Sequence, residues 1–113
     1  MRKQMMENAA YEVATQVRTV EESIEAALAE LAELQLKMVH ARAVTNAGFV
    51  SSHAPFEQLA ATTNGLISAR GAIAGCHAAL VETRKTIPGL RTVAIGDEEC
   101  PPQKGHADLR VVA

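Results

Sequence analysis

The stretch FEQLAATTNGLISARGAIAGCHAALVETRKTI, residues 56–87, decides the fold. Its bulky apolar residues Leu59, Leu66, Ile73, Leu80 and Ile87 recur every seven positions, which places them in one line along a helix. A second set, Ala61, Gly65, Ser68, Ala72, Gly75 and Ala79, recurs at alternating steps of four and three, and all six are small. Between Leu59 and Val81 only Arg70 is formally charged. A helix with one solvated face carries its charges there, and this one barely has any. The pattern predicts a helix over about 53–87 that is covered from more than one direction.

Upstream lies a natural candidate for one of those covers. Met6, Ala10, Val13, Val17, Val20, Ile24, Ala27, Leu31, Leu34, Met38 and Ala41 follow steps of four and three without a break. Such a run over about five heptads is a coiled-coil-type seam. No Gly or Pro occurs before Gly48, while Glu12, Arg18, Glu22, Glu25 and Glu33 fall off the seam. A first helix is therefore expected over about 4–45. Leu28, Leu36 and Val39 widen its apolar side, which suits a bundle better than an isolated two-stranded coil.

The break falls at 46–54. Lys37, His40 and Arg42 put positive charge near the end of the first helix, and Gly48 is the expected left-handed residue just past it. Ser51 or Ser52 is a candidate cap for the second helix, with Pro55 in its first turn. Phe49 and Phe56 are expected to close the apolar end of an antiparallel hairpin. Arg84 and Lys85 suit the last turn of the second helix, and Pro88-Gly89 stops it. The tail, 88–113, holds two short β-prone runs, 91–95 and 109–112, separated by Asp97, Glu98, Glu99 and Pro101-Pro102. It is expected to be extended or hairpin-like, with strand addition to a neighbouring subunit as one use for it, or else a flexible tail, since the residues between the runs are turn-like.

The fold class is thus all-α: a long antiparallel helical hairpin that completes a four-helix or larger bundle by self-association. The small residues at 61–79 are the expected interface, because small side chains at this spacing let two helix backbones approach closely. Gly65, Gly71 and Gly75 cost roughly 3 kcal/mol together relative to alanine, against a domain stability of ~5–15 kcal/mol. Close interhelical packing is the simplest compensation.

Composition narrows the function. With 113 residues, the chain forms one domain at most. A net charge of −2 with no basic patch argues against nucleic acid and acidic membrane surfaces. The 58–81 stretch is long enough to span a bilayer but is interrupted by Gln58, Thr62, Thr63, Asn64, Ser68, Arg70 and His77. Two cysteines, Cys76 and Cys100, make no disulfide framework, and Cys76 is expected to be a buried thiol. Arg70, His77 and Arg84, seven apart, are expected to flank the large column with their heads in water, within reach of Glu21 or Glu30. Cys76-His77 with His40, His53, Cys100 and His106 lacks the spacing of a zinc site, and Glu-x-x-His is absent. Neither a nucleophile elbow nor a phosphate loop is present.

A helical hairpin of this size is similar to the small secreted proteins of the WXG type. Those carry Trp-x-Gly in the turn, whereas the turn here reads Asn46-Ala47-Gly48-Phe49 and the chain has no Trp. The resemblance carries no residue over. The expectation is a non-enzymatic structural or adaptor protein without cofactor or metal, most simply a homodimer. It would be cytoplasmic or part of a virion or other assembly, with the 90–113 tail available to other subunits. The alternatives are a small-ligand or metal-binding bundle around Cys76 and His77, or a regulator that binds a partner helix.

Overall fold

The computed structural model describes residues 1–90, and these form two helices, α1 (Arg2–Thr45) and α2 (His53–Lys85). The strand-prone runs expected at 91–95 and 109–112 lie outside the described residues. The described chain divides into a turn unit, Thr19–Ala74, and a terminal unit in which Met1–Arg18 packs with residues 75–90.

In the turn unit the two helices run antiparallel around a short connection. The end of α1 is set by Asn46, whose backbone is left-handed at φ 57°. Its N–H bonds the Ala43 carbonyl (3.3 Å), and the Ala47 N–H bonds that of Arg42 (3.2 Å). These two bonds are the Schellman pattern, which satisfies the last carbonyls of a helix. Asparagine, the commonest substitute for glycine in this conformation, takes the role that the sequence suggests for Gly48. The Arg42 guanidinium ties the turn down further, donating from Nη1 to the Ala47 carbonyl (3.0 Å). Ser52 does not cap α2 in the expected way: its hydroxyl donates backward to the Gly48 carbonyl (2.6 Å).

Leu59 is buried, and Phe56, Thr63, Leu66 and Ile73 are half-covered, facing Val20, Ile24, Ala27, Leu28 and Leu31 of α1 in the same exposure class. Phe49 departs from expectation. It is 78% exposed, so Phe56 alone of the two aromatics turns inward at this end.

In the terminal unit Val17 and Val81 are buried, with Met6, Ala10, Ala14, His77, Leu80 and Ile87 half-covered. Here α2 ends as the sequence dictates. The Thr86 and Ile87 N–H groups bond the carbonyls of Thr83 and Arg84 three residues back, tightening the last turn. Pro88 and Gly89 then form the centre of a turn closed by the Leu90 N–H on the Ile87 carbonyl (3.0 Å). Gly89 has φ +94°, as the third position of a type II turn requires. The turn folds Leu90 back into a buried position, where its carbonyl accepts from Arg84 Nη1 (3.2 Å). Arg84 is itself only 7% exposed. This corrects the expectation that its head reaches water, and the Leu90 carbonyl is one group that receives it inside.

The core is thin. Among the described residues the buried apolar side chains are Val17, Leu59, Val81 and Leu90, and no side chain is less than 2% exposed. Among the described residues, two helices cover one side of each other.

The glycines separate conformational need from packing. A Cβ on Gly71 would meet nothing within 4 Å, whereas Gly89 sits in a backbone region that side chains resist. Gly71→Ala is therefore expected to stabilise the fold by about 1 kcal/mol and Gly89→Ala to destabilise it by about 1–2 kcal/mol in urea titrations followed by circular dichroism.

Candidate interface on the second helix

The covered side of α2 consists of two adjacent lines. One is the large column Leu59, Leu66, Ile73, Leu80 and Ile87; the other is Phe56, Thr63, Arg70, His77 and Arg84. Every member of both lines is buried or half-covered except Arg70. Together they make a four-three seam like that of α1. The second line was legible only as a polar flank, because an arginine and a histidine within it mimic a solvated stripe.

At about 100° per residue, Ala61, Gly65, Ser68, Ala72, Gly75 and Ala79 lie roughly opposite that seam. All six are exposed. Cβ atoms built on Gly65 and Gly75 meet nothing within 4 Å, so these positions are open. Beside them Ala60, Asn64, Gly71, Ala74 and Ala78 are also exposed, and Ile67 is 54% exposed. From 58 to 81 this outward surface carries no charge. No protein-family model, curated protein or solved structure matches this chain.

Arg70, the charged exception, lies on the seam side of the helix and not on the small stripe. Its Nε donates to a carboxylate oxygen of Glu25 on α1, a partner four residues on from the Glu21 that the sequence suggested. The hydrogen bond from Arg70 to Glu25, with the carboxylate's charge beside it, raises the guanidinium further above its already high ordinary pKa. Glu21, Glu25, Arg70, Ile73 and Ala74 line a shallow cavity of about 290 Å³ around this pair. Chemically it offers a neutralised ion pair with apolar walls and no nucleophile, which is a poor reaction centre. The pair does, however, hold the lone charge of the α2 mid-section against α1.

Cys76 lies to one side of the small stripe and is exposed, contrary to the expected buried thiol, because the seam that α1 covers passes through His77 and Ile73 instead. Its neighbours one heptad away, Ala69 and Thr83, are exposed for the same reason. Among the described residues no three His, Cys, Asp or Glu side chains gather in a way that could hold a metal ion. Nor, among those residues, is any helix long and apolar enough to cross a membrane.

Both partners of the Arg70–Glu25 pair are more than half exposed, so solvent screens most of their attraction. Glu25→Gln should leave the thermal midpoint unchanged within measurement error. A drop of several degrees would show instead that the pair holds the helices together.

Proposed function

We propose that this protein is a non-enzymatic structural or adaptor element that pairs with a second copy of itself through the outward face of α2. The observation that carries this is a helix face of small residues that is exposed along its length and free of charge from 58 to 81. A soluble helix that ends at one partner normally places charge on the opposite side. Here the opposite side is alanine, glycine and serine, and the lone arginine is turned away from it toward Glu25.

The order of the small residues supports an antiparallel pair. Ala61 and Ala79, Gly65 and Gly75, and Ser68 and Ala72 stand at equal distances on either side of position 70. In a two-fold antiparallel dimer each therefore meets its own counterpart: alanine on alanine, glycine on glycine, serine on alanine. A self-complementary patch of this kind is what an isologous interface needs. Without large side chains between them, two such helices approach to the short end of the usual 8–10 Å interaxial range. Each copy contributes two helices, so the product is a four-helix bundle, a scaffold suited to a component of a larger assembly. Dispersion attraction between the two backbones along the stripe is what would offset the glycine cost.

Light scattering of the full chain should give the mass of a dimer at micromolar concentration. Ala72→Leu with Gly75→Leu should shift that mass to the monomer, and an unchanged mass would sink the proposal. Orientation has its own test in a Cys76→Ser, Cys100→Ser background. Mixing Gly65→Cys with Gly75→Cys copies should yield a disulfide-linked pair, while Gly65→Cys alone should not; the reverse outcome would mean parallel pairing.

A further inference from the structure

The turn unit carries a second feature that α2 pairing does not use. Val39, Arg42, Phe49, Ser52, His53 and Phe56 enclose an apolar cup of about 400 Å³ at the connection. The Arg42 guanidinium sits 5.4 Å over the Phe49 ring and is anchored to the Ala47 carbonyl, so one wall is a fixed cation–aromatic pair. Beside it Phe49 and Val50 are 78% and 91% exposed. Glu33 and Glu57 are the nearest acidic residues in sequence, and the chain between them carries Lys37, His40, Arg42 and His53 with no carboxylate among them. The cup therefore asks for an occupant with apolar side chains next to negative charge.

The chain contains one such segment. Val93, Ala94 and Ile95 are followed after Gly96 by Asp97, Glu98 and Glu99, the longest run of carboxylates in the sequence. It lies within nine residues of Leu90, so at ~3.3–3.6 Å per residue it extends at most about 30 Å beyond that point. His53, on the cup, is the first residue of α2, a helix of 33 residues and so about 50 Å long. A tail leaving just past the last turn of α2 falls short of the first turn of the same helix. We propose that the cup at the turn, with Arg42 and His53 beside Val39, Phe49 and Phe56, receives residues 93–99 of a neighbouring copy.

This contact goes beyond α2 pairing and does not depend on it. It joins two different surfaces, and an antiparallel pair centred on position 70, which sets position 53 of one copy opposite position 87 of the other, would form it twice, reciprocally. Charge opposition guides the approach, and the apolar residues of 93–95 fill the cup.

The test is photo-cross-linking of the full chain with Phe49→p-benzoylphenylalanine, mixed with an equal amount of uniformly heavy-isotope chain carrying native Phe49. Val50→p-benzoylphenylalanine serves as a second probe that leaves the Phe49 wall of the cup intact, and both positions are exposed. The expected result is an adduct between the light probe peptide and the heavy tryptic peptide 92–104. Asp97→Asn, Glu98→Gln and Glu99→Gln together should reduce that adduct at least tenfold while leaving the helical circular dichroism unchanged. Adducts confined to the probe's own tail, adducts only to α1 or α2, or no adduct at either position would each overturn the proposal. The dimer stands or falls on the light-scattering mass of the Ala72→Leu, Gly75→Leu chain, so either contact can fail without the other.

Discussion

One helix can shield only one side of its neighbour, and everything else about this protein follows from that constraint. The α1 seam is largely satisfied by it: most of its large residues are covered and most of its glutamates are exposed, with Val13 and Leu34 left at 44% and 47% exposure. The α2 helix is not. Its seam side holds the large column together with Arg70, His77 and Arg84, leaving the small residues and Ile67 to face outward. The usual amphipathic order keeps its covered apolar side here, but the charges that belong on the water side are missing along the middle of α2.

The placement of the cations on the seam side sets how they are managed. Arg84 is covered, but the turn at Gly89 brings back a carbonyl to receive it. Arg70 is exposed and uses Glu25. Neither contact adds much stability by itself, since exposed pairs contribute little and buried ones mainly avoid the penalty of an unpaired charge. Their effect is positional: both cations stay on the hairpin side, and the opposite face stays uncharged.

Much of the fold was legible because it depended on size and period. The seven-residue column from Leu59 to Ile87, the four-three run from Met6 to Ala41 and the stop at Pro88-Gly89 needed no knowledge of partners. What escaped depended on which chemically possible option the neighbours selected. Asn46 and Gly48 can both adopt the left-handed conformation, and the hydrogen bonds to Ala43 and Arg42 chose Asn46. Phe49 and Phe56 are equally apolar, yet only Phe56 falls on the helical seam. Cys76 looked inward because its surroundings are apolar, but those surroundings are the bare side of the helix. The candidate interface was legible from residue size alone, since six small side chains in register are visible without coordinates. That they point away from α1 was legible too, because the bulky seam of α1 claims the large column; that the column of Arg70, His77 and Arg84 belongs to the covered seam was not, because its polar residues look like a solvated flank.

The turn at Gly89 has a consequence for any assembly built from this chain. Because the Leu90 carbonyl is fixed by Arg84 and its side chain is buried, everything beyond residue 90 departs from a defined point and not from a frayed helix end. A two-fold antiparallel dimer centred on position 70 would set position 87 of each copy opposite position 53 of the other. Each C-terminal segment would then start beside the partner's turn, so a pair of chains would close on itself and not extend into a filament.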